Sequence, residues 1–255
     1  MLTTVLTVGS GALVGFVLGL LGAGGSILAV PLLLYVVGVT DPHVAIGTSA
    51  VAVAVSALIN LVLHARDGHI RWPCAITYAA SGSLGAAVGA AVGKSIDGRR
   101  LLLAFAVAMV GVGASLLMRK PGAGDNNVHI TPRLAARLVP IGFVTGAASG
   151  FFGIGGGFLI VPGLIGATNM VMLHAVGSSL VAITAFGAAT AASYAGSGFV
   201  LWGVAGEFIA GGLIGGLLGT KLCAVLAPRK ALLTRIFAGF VFVTAAYIAW
   251  RSLAT

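Results

Sequence analysis

From Leu2 to Gly38 the chain runs for 37 residues without a charged side chain. As one helix, at 1.5 Å per residue, this stretch would measure about 55 Å, nearly twice the ~30 Å hydrocarbon core of a bilayer. It is interrupted by Gly22-Ala23-Gly24-Gly25-Ser26 and again by Pro31. The expected structure is two helical pieces joined at a glycine break in or near a membrane. Leu138 to Ala167 has the same form, with Gly153-Ile154-Gly155-Gly156-Gly157 followed by Pro162.

Shorter apolar runs fill most of the remainder. Val44–Leu63, Trp72–Gly93, Leu101–Met118, Ala175–Ala195, Val200–Thr220 and Ile236–Trp250 each read as a span. Charged residues make up 7% of the chain, against about 25% in a soluble domain. A water-facing surface cannot be covered with so few charges, which excludes a soluble globular enzyme and a disordered chain. The fold class is therefore all-α, a polytopic membrane helix bundle, expected as a multi-pass protein of the plasma (inner) membrane. The apolar N-terminal run has no Lys or Arg before it, unlike a secretory signal peptide, so it is expected to remain as the first helix.

The two over-long segments belong to an internal repeat. GAGGSILAVP at 22–31 and GIGGGFLIVP at 153–162 agree at six of ten positions. AIGTS at 45–49 matches AVGSS at 175–179. The offset, 131 and then 130, carries Gly68 and Trp72 onto Gly198 and Trp202. It also carries Gly82, Gly85 and Gly89 onto Gly212, Gly215 and Gly219. The organisation read from this is a first membrane repeat at 1–118, a polar linker at 119–137 and a second repeat at 138–255.

An odd number of crossings per repeat would invert the second copy relative to the first. Ten basic residues (Arg66, Arg71, Arg119, Lys120, Arg133, Arg137, Lys221, Arg229, Lys230, Arg235) would then share one side and four (Lys94, Arg99, Arg100, Arg251) the other. An even number divides them equally. The positive-inside rule favours the asymmetric count, hence inverted repeats with a cytoplasmic linker and both termini outside. The scattered basic residues give a net charge of +9. They form no clustered soluble face, so nucleic acid is not an expected partner.

Candidate binding residues come from the breaks. A helix N-terminus presents unpaired N–H groups and partial positive charge, and glycine lets an anion reach them. This singles out Gly22, Gly24, Gly25 and Ser26 in one half, and Gly153, Gly155, Gly156 and Gly157 in the other. The two breaks are expected to meet near the midplane around one small anion. Thr48, Ser49, Ser178 and Ser179 follow a glycine near a helix start and offer hydroxyl donors. Asn60 lies one helical turn before His64, and a polar residue within a membrane is a functional candidate. His64 and Glu207, the lone acid of the second half, are the candidates for proton coupling. His43 and His174 read as loop residues, and Cys74 and Cys223 as small core residues without metal-ligand spacing. No catalytic group, metal site or cofactor is expected: there is no GxSxG, no paired carboxylates and no Walker-type loop.

The paired glycine–proline blocks, with AIGTS and AVGSS behind them, resemble the TauE/SafE sulfite-exporter family of membrane permeases over essentially the whole chain. The resemblance implies a secondary transporter of small sulfur-containing anions such as sulfite, sulfoacetate or other organosulfonates, or related carboxylates. Its glycine blocks map onto Gly22, Gly24, Gly25, Gly153, Gly155 and Gly156, and Ser26 stands where the second copy has Gly157. The expected partners are a small anion and the lipid bilayer, with a homodimer left open. The alternatives are a non-transporting membrane scaffold or assembly protein, and an anion channel.

Overall fold

The computed structural model describes residues 2–118, 125, 128, 130–153 and 157–226, together with 239, 242–243, 245–246 and 250. The described residues are almost entirely helical, with one isolated bridge between Asp125 and Met170. The expected span Ile236–Trp250, the first part of the polar linker (119–129), and Gly155 and Gly156 lie outside them, apart from the isolated positions just given; the end of the expected linker, 132–137, is the first part of a helix.

Helix α1 covers Leu2–Leu21 and ends where the glycine block begins. The next residues form a tight 3₁₀ stretch, Gly22–Leu28, a short α2, Ala29–Leu32, and a wider π turn, Leu33–Val37. Gly25 lies against the backbone of Val14 and Leu18, so this run doubles back along α1. Gly38, at φ +87°, ends it. The second over-long segment divides in the same way, into α6 (Pro132–Phe152) and α7 (Gly157–Thr168). Gly153 at φ +65° closes α6, a left-handed conformation that favours glycine. The remaining helices are α3 (Pro42–Arg66), α4 (Trp72–Lys94), α5 (Gly98–Met118), α8 (Met172–Ala195) and α9 (Trp202–Leu226).

Helix starts follow local chemistry. Asp41 accepts a hydrogen bond from the His43 backbone N–H at 2.8 Å, and Pro42 occupies the first turn of α3. Thr131 and Pro132 do the same for α6. Among the described residues six helices, α1, α3, α4, α6, α8 and α9, are long and apolar enough to cross a membrane. Their outward positions carry Leu84, Val88, Val144 and Leu218, side chains suited to lipid rather than water.

Glycine contacts fix the helix directions. Gly11, Gly15 and Gly19 of α1 meet Phe208, Gly212 and Gly216 of α9 in step, so these helices run parallel. Gly142, Gly146 and Gly150 of α6 meet Tyr78, Gly82 and Ala86 of α4 in the same way. Each is a seam of small residues at which two backbones touch, the usual basis of helix association in a bilayer. In the centre α3 and α8 are antiparallel: Gly47 lies beside Phe199 and Tyr194, Gly187 beside Ala54, and Gly177 beside His69. Thr48, Ser56 and Asn60 of α3 meet Leu201, Gly212 and Gly216, so α9 runs with α3. Arg71, Tyr78 and Lys94 meet Ser178, Phe186 and Ser193, so α4 runs with α8. Thus α1, α3 and α9 point one way and α4, α6 and α8 the other. The sequence offset pairs α1 with α6, α3 with α8 and α4 with α9, and each pair is oppositely directed.

Candidate functional site

Thr48 and Ser178 are fully buried and face the opposite half. The Thr48 hydroxyl accepts a hydrogen bond from the Leu201 backbone N–H at 3.0 Å, just ahead of α9. The Ser178 hydroxyl accepts one from the Arg71 backbone N–H at 3.0 Å, just ahead of α4. Both acceptors satisfy an N–H that a helix start leaves without an intrahelical partner. Each glycine just ahead of them lets the facing turn approach: Gly47 touches the Phe199 carbonyl and Gly177 the His69 carbonyl. Ser49 and Ser179 donate back into their own helices, to the Ile46 and Val176 carbonyls at 2.8 and 2.7 Å. Ser49 Oγ also lies 3.5 Å from the Gly153 carbonyl.

That last contact joins one half's hydroxyl block to the other half's glycine break. Ile46 lies against Gly153 at the position a Cβ would fill. Gly19, just before the first break, lies on Asn60. The stretch that carries the first break, Gly22–Leu28, packs against α7, the helix that follows the second.

The individual glycines divide in role. Gly22 and Gly24 lie in the 3₁₀ stretch and Gly157 opens α7. A Cβ on Gly25 would stand 2.5 Å from both the Val14 carbonyl oxygen and the Leu18 nitrogen, so its smoothness serves packing on α1. Ser26 is buried beside it. Asn60 is buried and ties α3 to α9: its Nδ2 donates to the Ser56 carbonyl of its own helix at 2.9 Å, and its Oδ1 accepts from Thr220 Oγ1 at 3.1 Å. His64 is 2% exposed, with Nε2 3.4 Å from the Gly19 carbonyl and Nδ1 without a partner. Glu207 is half-buried near the start of α9 and makes no hydrogen bond or ion pair among the described residues.

Comparison with known proteins decides the family. The family model for Sulfite exporter TauE/SafE matches residues 7–248. The chain belongs to the TauE/SafE family. It is 53% identical to a probable membrane transporter protein of Xylella fastidiosa, over 98% of this chain and 97% of the relative. It is 27% identical to the probable membrane transporter protein YunE of Bacillus subtilis, over 83% of this chain and 85% of that one. No solved structure matches the chain. This TauE/SafE protein is therefore a multi-pass membrane transporter.

Two sets of polar groups in the TauE/SafE chain escaped sequence reasoning. Ser149, four residues before the second break, is buried with its hydroxyl unpartnered among the described residues, as are Ser56 and Thr190. A lone Ser or Thr in a long apolar run carries no sequence signal. The second set is His69, Arg71 and His174, of which His174 reads as a loop residue and Arg71 as one of the scattered basic residues. The structure brings them together where the α3–α4 turn meets the start of α8. Among the described residues, no group of His, Cys, Asp or Glu is placed to hold a metal ion.

Proposed function

We propose that the chain is a secondary carrier of small sulfur-containing oxyanions, sulfite, sulfoacetate or other organosulfonates, working by alternating access. The observation that carries this reading is the opposite direction of equivalent helices. Two inverted copies of one unit can exchange shapes at little net cost in energy, closing one face as the other opens. Equivalent contacts already occur at opposite ends: Thr48 with Leu201, and Ser178 with Arg71. The buried Ser149 hydroxyl would donate to anion oxygens on the path between them, lined also by the break glycines, and Ser49 and Ser179 would do so on releasing the Ile46 and Val176 carbonyls. By the positive-inside rule, the end bearing Arg66, Arg71, Arg133, Arg137 and Lys221 faces the cytoplasm, and the end bearing Lys94, Arg99 and Arg100 faces out.

The test is uptake into liposomes holding purified protein, using sulfite, sulfoacetate, methanesulfonate and a small carboxylate. A carrier gives saturable uptake that is accelerated by unlabelled substrate on the far side. Flux without such counter-transport would indicate a channel, and no flux of any anion would support a scaffold. Replacing Gly24 with Val should abolish uptake while leaving folded protein, and normal uptake by that variant would remove the break from the path.

A further inference from the structure

The two halves differ most where α3 joins α4 and where α8 joins α9. The first join carries His64 and His69, and the equivalent positions of the second carry Tyr194 and Phe199. A histidine of the opposite half faces each. His43 lies with its ring 5.7 Å from Phe199 and 6.4 Å from Tyr194. His174 Nδ1 lies 3.2 Å from the His69 carbonyl oxygen. One end of the bundle is thus aromatic. There Lys94 is engaged by the Ser193 carbonyl and Ser197 hydroxyl, both at 3.0 Å. The other end is rich in imidazole and adds Arg71, whose Nη2 is 3.2 Å from His174 Nε2.

These two partners select the one tautomer of His174 in which both contacts are hydrogen bonds. A carbonyl only accepts, so Nδ1 carries the hydrogen. A guanidinium only donates, so Nε2 offers its lone pair. The His174 ring is therefore neutral in this arrangement. A proton on Nε2 would set two cations with facing N–H groups at 3.2 Å, and the contact would break. A small oxyanion reverses that penalty, because one oxygen can accept from Nε2–H and another from the guanidinium. His64, with its buried Nδ1 unpartnered and its ring 6.0 Å from that of His69, stands behind the pair.

We propose that Arg71 and His174, backed by His69 and His64, bind a proton and a small oxyanion together, and that this cluster is the coupling site of the carrier. The proposal rests on the carrier reading above. The proton goes to His174 Nε2 as the Arg71 contact opens, and the anion bridges the two. Other charged or titratable groups around the cluster are Arg66 and Asp67 on the same turn and Cys74 one turn into α4. Asp125, bridged to Met170 just before α8, Arg133 and Arg137 at the start of α6, which packs along α4, and Lys221 on α9 are the others at this end among the described residues. α1 and α7 bring none. Imidazole is the side chain that ordinarily changes charge between pH 5 and 8. Linkage then requires that anion and proton strengthen each other's binding by the same factor.

Calorimetric titration of the purified full-length protein tests this, with methanesulfonate and sulfate as probes because neither changes charge over the range used. Binding should be about tenfold or more tighter near pH 6 than near pH 8. Titration in two buffers of different ionisation enthalpy should show close to one proton taken up per anion. His174→Asn keeps an acceptor for Arg71 but cannot be protonated, and should abolish both the pH dependence and the proton uptake. The double variant H64Y/H69F copies residues the other half already accommodates, and should weaken binding near pH 6. Anion binding by the native protein that is independent of pH and takes up no proton overturns this proposal while leaving the carrier reading intact. An H174N protein that keeps its proton uptake also overturns it. Absence of binding and flux for every anion at both pH values overturns both readings. The native-protein measurement needs no variant to fold.

Discussion

The α1–α9 seam offers a stability test that uses one substitution twice on one helix. A Cβ added to Gly15 would sit 2.7 Å from the carbonyl carbon and Cα of Gly212, and closer still to its oxygen. Ordinary contact begins at 3.4 Å, so relief requires about 0.7 Å or more of separation between two backbones. Neither backbone can yield locally, because the Gly212 oxygen belongs to the helical hydrogen-bond ladder. The helices must part, and the neighbouring close approaches at Gly11, Gly19, Gly211, Gly215 and Gly219 loosen with them. Overpacking of this kind costs about 1–3 kcal/mol. Gly9, on the same helix, has nothing within 4 Å of an added Cβ. Gly9→Ala should change stability by no more than about 0.5 kcal/mol. The expected gap between G15A and G9A is about 2 kcal/mol, roughly a thirtyfold difference in the unfolding equilibrium. Unfolding in detergent micelles, followed by tryptophan fluorescence against added SDS, reads this gap. Gly146, which meets Gly82 across the α4–α6 seam, should respond as Gly15 does. G15A protein as stable as G9A would refute the direct backbone contact and the helix directions deduced from it.

Three further outcomes are expected. Gly153→Ala combines a φ of +65° with a collision against Ile46, and should destabilise by about 1–3 kcal/mol; adding Ile46→Ala should recover the steric part in the same unfolding assay. Thr48→Val and Ser178→Ala each leave a backbone N–H, of Leu201 or Arg71, without its acceptor. Each should cost about 1–3 kcal/mol, and their effects should add, because the two contacts lie at opposite ends of α3 and α8. Glu207→Gln should leave the pH dependence of uptake unchanged, because the coupling proton is assigned to His174; a lost pH dependence would return Glu207 to that role.

Much of the architecture was legible because a bilayer is a demanding solvent. Every spanning segment must be apolar and must satisfy its own backbone, so scarce charge and run length placed α1, α3, α4, α8 and α9, and α6 from Leu138 onward; the first turns of α6, 132–137, carry Arg133 and Arg137 and read as linker. The break glycines were legible for a related reason: a 37-residue uncharged run cannot be one helix in a core about 30 Å thick. The hydroxyls of Thr48 and Ser178 were singled out by their repeated spacing, but not as acceptors for the opposite half's helix starts. Spacing along one chain does not say which backbone N–H will face it.

The sequence by itself determined that this is a helical membrane protein, where its helices break, and which residues of the two halves correspond. Those properties depend on one-dimensional quantities, namely apolar length, charge and repeated motifs. The tertiary structure alone decided that α1 lies along α9 rather than within its own half, and that the stretch carrying the first break packs against the helix that follows the second. It also decided that His174 joins His69 and Arg71, more than 100 positions away in sequence, in one cluster. Contacts across the two halves are set by which glycine seams fit together at backbone contact, and that is a property of surfaces in three dimensions.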